Sequence, residues 1–281
     1  MRFLMLALIA FLFSLCAQAQ EKHRTYNTFA ADRLLNGHSV ETLEKGLLNF
    51  NIMHRFGGVG NGWEDFFGLD VASYRLELAY GFTDRFSAGI GRSGFQKTLD
   101  GYVKHRLLWQ GDSISGPPIS LTWVSVGAFR TQEPFDGSEQ RPSRERFSYW
   151  HQALISRKWS SRWSTQLMPS LLHRNYVRLE EGDNTLPVMG VGAKFQITKV
   201  VGVTTSAYFS DPDAIGNFEY PMGLGFDIKS GGHVFQLLLT NTQGMIGPHF
   251  TGYTEDAFTP GNLRIGFNIR RVFRISGRNY H

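Results

Sequence analysis

Residues 46–56 read GLLNFNIMHRF and residues 72–82 read ASYRLELAYGF. In the first, Leu48, Phe50, Ile52 and Phe56 alternate with Asn49, Asn51, Met53 and Arg55. In the second, Ala72, Tyr74, Leu76, Leu78, Tyr80 and Phe82 alternate with Ser73, Arg75, Glu77, Ala79 and Gly81. A period of two places successive side chains on opposite faces of a strand, so each segment has one apolar and one polar face. Comparable stretches follow at Arg85 to Ser93, Leu99 to Trp109, Ile119 to Phe129, Arg146 to Lys158, Trp163 to Arg174 and Val188 to Thr198. Others lie at Val200 to Phe209, Met222 to Lys229, His233 to Thr242 and Asn262 to Phe273. The pattern predicts about 12 antiparallel strands, an even count of the kind bacterial single-chain barrels use.

The connections sort by parity. Thr83-Asp84, Ser160-Ser161, Thr198-Lys199 and Ser230-Gly231-Gly232 are tight, with Gln110 to Pro118 longer. The intervening junctions, such as Gly57 to Val71, Thr131 to Glu145, Asn175 to Pro187, Ser210 to Pro221 and Gln243 to Gly261, are long, with Gly94 to Thr98 the exception. Short periplasmic turns alternating with long extracellular loops are the mark of a transmembrane antiparallel β-barrel, whereas a soluble sandwich has no reason to sort its loops this way. Aromatic residues flank the tight turns, Tyr80, Phe82 and Phe86 at one and Trp159 and Trp163 at another, where an interfacial girdle belongs. A closed sheet also satisfies every backbone donor and acceptor in hydrocarbon.

The first residues, MRFLMLALIAFLFSLCAQAQ, have a basic start, an apolar core and Ala17-Gln18-Ala19, which reads as a secretory signal peptide cleaved after Ala19. A lipid anchor on Cys16 is the competing reading, with Leu15 where a small residue is usual. Cleavage removes the single cysteine and with it any disulfide framework or thiolate metal site. Expected organisation is therefore a signal peptide over 1–19, a periplasmic N-terminal segment over 20–45, the barrel over 46–273 and a C-terminal tail over 274–281. The 29 basic and 24 acidic side chains form no charged block, which gives no support to a nucleic-acid role.

The runs Asn36 to Gly57, Phe66 to Asp70 and Tyr80 to Ser93 resemble a family of Gram-negative outer-membrane β-barrels known only as a domain of unknown function. That resemblance implies location and fold, and supplies no catalytic or binding residues.

The polar faces nominate lumen-lining residues: Asn49, Asn51, Arg55, Arg75, Glu77, Asp100, Lys104, Arg106, Gln166, Arg174, Arg264, Asn268 and Arg270. Basic groups outnumber acids among them. They fit either a lumen biased toward anions or a narrow barrel filled by its own paired side chains. His38, Ser39 and Glu41 lie close in sequence, but neighbouring residues of a strand point apart, so a hydrogen-bonded turn competes with a hydrolytic site. His54, His105 and Arg92 share the lipid-facing phase, and the glycines at 89, 91, 190, 192, 223 and 225 share the inward one, where small residues relieve crowding. No H-x-H or HExxH spacing suggests a metal, and no cofactor is expected.

Three functions follow as expectations: a passive pore or small-solute transporter with anion bias, a non-conducting barrel that anchors a partner complex, and an outer-membrane lipid-modifying enzyme. A non-enzymatic role is expected. Expected partners are outer-membrane lipids, the barrel-assembly machinery and a periplasmic or surface protein.

Overall fold

The structure, a computed structural model, describes residues 24–111, 116–132, 142–177, 183–211, 214 and 218–276. The expected signal peptide and the end of the expected tail lie outside the described residues. Twelve strands form one closed antiparallel barrel. In chain order they are β3 (Leu47–Gly58), β4 (Ala72–Gly81), β5 (Phe86–Ser93), β6 (Thr98–Leu108), β7 (Ser120–Arg130) and β8 (Phe147–Lys158). They continue as β9 (Trp163–Arg174), β10 (Thr185–Gln196), β11 (Val201–Ser210), β12 (Met222–Ser230), β13 (His233–Thr240) and β14 (Arg264–Arg274). Each pairs with its sequence neighbours, and β14 closes on β3 with Phe273 opposite Leu48 and Asn268 opposite Met53.

The alternation seen in the sequence becomes the two faces of this wall. Ile90, Leu237 and Leu167 point outward and are 63%, 55% and 53% exposed, whereas Arg75, Glu77 and Asn49 point inward and are buried. His105 faces outward with its ring edge-on to Phe86, and the register bulge comes after it, between Arg106 and Leu108. Arg92, also outward, donates to the Lys97 carbonyl at 2.6 Å and the Thr131 hydroxyl at 3.0 Å, so its charge sits at the loop end. His54 stacks on Phe267 with ring centroids 5.0 Å apart.

The tight turns at one end of the barrel share a repeated device. Thr83, Ser160 and Thr198 each open a tight turn and accept, through the side-chain hydroxyl, the backbone N–H groups two and three residues on. Such local bonds let a short connection satisfy donors the strands leave behind. Trp159 and Trp163 stand exposed beside the Ser160 turn, Trp163 with its ring 5.0 Å from that of Phe195. The long connections gather at the opposite end.

The lumen is not empty. Of the segment expected to be periplasmic over 20–45, the described residues 24–45 instead enter the barrel, running in from the tight-turn end and returning to it. Their tip is a small hairpin of β1 (Arg33–Leu34) and β2 (Gly37–His38), pairing Arg33 with His38. From the other end, the connection between β13 and β14 sends in a short helix, α1 (Gly247–Gly252), every residue of which is buried. Phe29, Leu34, Leu35, Val40 and Phe250 of these two insertions are buried with Trp150, Leu172 and Tyr208 of the wall. The apolar content of the insertions explains their position, since apolar side chains are removed from water by entering the barrel. Among the described residues no helix is long and apolar enough to cross a membrane, a statement that does not bear on strands.

Candidate functional site

The first leg of the hairpin is tied to the tight-turn end by backbone bonds. Thr25 N–H donates to the Gln110 carbonyl at 2.8 Å, and the Trp109 indole donates to the Thr25 carbonyl at 3.0 Å. Trp109 also has the guanidinium of Arg106 over its ring at 4.4 Å and that of Arg24 at 4.7 Å. Lys158 donates to the Tyr26 carbonyl at 2.8 Å, and Lys194 lies 3.4 Å from the Asn27 carbonyl. Asn27, with φ of 56°, turns the chain into the lumen.

At the tip, Leu35 takes a φ of 58°, which reverses the chain between β1 and β2. The reversal aims Arg33 at the wall, where it bonds Glu77 in a buried ion pair. Glu77 also meets Arg75 at 2.8 Å, and Arg75 meets Asp100 at 2.7 Å. Asn51 donates to Glu77 at 2.9 Å and the Tyr102 hydroxyl does so at 3.3 Å, so four side chains hold the carboxylate. Asn36 accepts from Arg55 Nε and a terminal nitrogen at 3.1 and 2.8 Å, while Asn268 donates to the Leu35 carbonyl at 2.9 Å. Asp32 takes Arg270 at 3.1 Å and the Asn49 amide at 3.1 Å, and Lys104 donates to its carbonyl at 3.2 Å.

The returning leg is bonded the same way. The Gln166 side chain accepts from Val40 N–H at 2.7 Å and donates to the His38 carbonyl at 2.9 Å, a substitute for a strand neighbour. Arg106 and Thr122 both donate to the Val40 carbonyl, at 2.7 and 2.9 Å, and Arg106 reaches Glu41 at 3.2 Å. The His38 carbonyl and both backbone groups of Val40 thus have interior partners, which is what burial of polar chain requires.

Of the thirteen residues nominated as lumen-lining, eleven are buried, and Arg264 and Arg270 are partly so. Ten of them, all but Asp100, Arg174 and Arg264, contact the hairpin or a side chain that does. Arg174 donates to the Asp183 carbonyl in a loop at 3.2 Å, and Arg264 pairs with Asp256 at 2.6 Å. Neither sequence reading of the lumen is complete. Paired wall charges exist, in Arg75, Glu77 and Asp100, but a piece of chain fills the space between the walls.

The His38, Ser39 and Glu41 trio does not assemble a relay. The Ser39 hydroxyl donates to the Ala31 carbonyl at 2.5 Å, and the His38 ring packs edge-on to Tyr102 at 4.8 Å. Burial, with the nearby cations Arg33 and Lys104, holds the His38 imidazole well below its ordinary range and therefore neutral. Among the described residues no three His, Cys, Asp or Glu side chains gather to hold a metal.

The upper insertion meets the lower one. Phe250 of α1 packs on Tyr208 at 4.6 Å and Trp150 at 6.0 Å, and the Tyr208 hydroxyl lies over Gly37 of the hairpin. His249 shares a 2.9 Å bond with the Thr98 hydroxyl on the facing wall.

The model of the DUF5777 family, described as a membrane-bound beta barrel domain, matches residues 29–273. The chain belongs to that family. The match begins inside the hairpin, so the lumen insertion is part of the family's domain and not an appendage to it. No curated protein matches the chain. Among solved structures it is similar to the NanC porin, at 9% identity and TM-score 0.47 over 80% of this chain and 98% of that one. It is similar to the KdgM porin, at 6% identity and TM-score 0.49 over 81% and 99%. A channel of the Pseudomonas putida F1 outer membrane aligns at 12% identity and TM-score 0.42 over 83% and 98%.

In this membrane-bound barrel, sequence reasoning missed the hairpin and α1. The signal was present: Leu34, Leu35, Val40 and Leu43 are too apolar for a solvated extension, as Met245, Ile246 and Phe250 are for an external loop. The inward glycines were a second signal. A Cβ on Gly192 would overlap Leu34, and one on Gly225 would sit 2.9 Å from Leu35 Cδ2. These glycines are seats for the hairpin's leucines.

Proposed function

We propose that the protein is an outer-membrane channel for small solutes, closed at rest by its own N-terminal hairpin. One observation carries this reading: the hairpin enters and leaves by the same mouth. Among the described residues its strand ladder is with itself, and its one bridge to the wall, Arg24 with Gly111, lies past the end of β6, so its withdrawal breaks no pairing between strands of the barrel. It is held instead by side chains of the wall, which stay behind as a polar lining. A barrel used purely as an anchor gains nothing from a removable filling, and wall side chains alone can pack such a lumen shut. The reading is non-enzymatic, and outer-membrane lipids and the assembly machinery remain its expected partners.

Charge supports an anion preference in the unplugged state. Asp32 and Glu41 of the hairpin neutralise Arg270 and Arg106, and the Asp32 carbonyl occupies Lys104. When the hairpin leaves, those cations face the lumen without acids, which lowers the cost of an entering anion.

Planar-bilayer recording tests the reading. Intact protein is expected to give rare, small steps. A variant lacking residues 24–41, with residues 245–252 replaced by a short Gly-Ser linker, is expected to give frequent and larger ones. A folded, inserted, doubly unplugged barrel that stays silent at all voltages overturns the channel.

A further inference from the structure

At the tight-turn end, beside the first leg of the hairpin, lies a cavity of about 470 Å3. Its lining holds five cationic side chains, Lys158, Arg162, Lys194, Lys199 and Lys229, and no carboxylate. They come from the ends of β8, β10 and β12 and from two tight turns, so the barrel's closure brings them together. Lys158, Lys194 and Lys229 share the inward phase of their strands, and Lys194 is 3% exposed. Asp227, two residues before Lys229, lies outside the lining, accepts from the Thr204 hydroxyl at 2.6 Å and the Gln236 amide at 2.8 Å, and offsets one of the five charges from there. Glu41, on the returning leg, is spent on Arg106.

Five like charges around one hollow repel one another, and the fold retains them without an internal counter-charge in the lining. Such an arrangement focuses positive potential on the hollow. A singly charged carboxylate leaves most of that charge unbalanced; a phosphate with several charged oxygens engages lysine point charges and an arginine fork together. The site's neutral donors, the hydroxyls of Ser161 and Thr198, suit the same oxygens.

We infer that this cavity binds a multiply charged phosphate anion at the foot of the hairpin. Lys158 and Lys194, whose ammonium groups face the Tyr26 and Asn27 carbonyls, are the groups the phosphate competes for. Binding here does not require the barrel to conduct, so a silent bilayer leaves it standing. Two sources share the chemistry: a soluble polyphosphate or phosphate ester, and the headgroup of an acidic lipid reaching the rim beside Ile197.

The probe is tripolyphosphate, titrated calorimetrically at low salt into the full-length protein in phosphatidylcholine nanodiscs. One saturable site is expected. Lys194→Gln with Lys229→Gln is expected to weaken it by about tenfold or more, from the loss of two charge-assisted contacts. Lys45→Gln, an exposed cation outside the cavity, is expected to leave it unchanged. Should the double variant fail the heat-modifiable mobility of a folded barrel, Lys199→Gln on its exposed turn gives the same reading with a smaller loss. Repeating the titration with phosphatidic acid in the discs separates the sources: lost binding identifies the lipid phosphate, retained binding a soluble one. Absence of saturable binding in neutral discs, or binding indifferent to both lysine variants, overturns the site.

Discussion

Leu34, at the tip of the hairpin, lies directly over Gly192 on β10, and a single added Cβ at 192 would overlap its Cδ2. Because Leu34 is fully buried, it has nowhere to yield without moving the hairpin. Gly192→Val is therefore expected to expel the hairpin and leave the barrel folded. Trypsin reads this directly: Arg33 is buried at rest, so cleavage after it should appear in the variant and not in the wild type. A folded variant with Arg33 still protected would mean that the seat is not specific.

The ion pair of Arg33 and Glu77 gives a second test. Glu77→Gln leaves Arg33 and Arg75 buried with less counter-charge, and breaking a buried pair of this kind costs about 3–5 kcal/mol. Arg33→Ala costs less, because Glu77 keeps Arg75 at 2.8 Å. The double variant is expected to lie well above the sum of the singles in stability, as contacting residues do not add. Denaturant midpoints of the four proteins in one detergent measure it; additive effects would show that the two side chains do not interact.

Neighbouring residues on β4 separate lipid contact from lumen contact. Leu76 is 43% exposed on the outward face and Arg75 is buried on the inward one. Leu76→Arg puts a charge against acyl chains, worth about 2–4 kcal/mol near the bilayer midplane, and is expected to reduce membrane assembly. Arg75→Leu is expected to assemble and to loosen the hairpin, since Glu77 and Asp100 lose their shared partner. Equal assembly of the two variants would contradict the outward and inward assignments.

Selectivity is the fourth test. In the doubly unplugged barrel, reversal potentials under a salt gradient are expected to favour the anion. Lys104→Glu with Arg106→Glu should shift them toward the cation, because both residues face the vacated lumen. An unplugged barrel indifferent to these charges would place the ion path elsewhere.

How far the fold was legible shows in β3 and β4. Leu48, Phe50 and Leu76 alternate with Asn49, Asn51 and Arg75, and that local period alone separated lipid face from lumen face and counted the strands. The short junctions at Thr83, Ser160 and Thr198 were legible as tight turns from their length, and the structure adds that a hydroxyl there bonds the backbone two and three residues on. The lumen residues were identifiable one by one for the same reason.

What faced them was not. Residues 33 and 77 are paired only because the sheet closes and the chain folds back through its own centre, a contact between distant positions that no local period encodes. The amino-acid order by itself determined a membrane barrel with a charged interior, since alternation acts over a few residues. Only the tertiary structure decided that Leu34, Leu35 and Phe250 fill that interior, since burial of an apolar segment depends on which cavity the finished wall offers it.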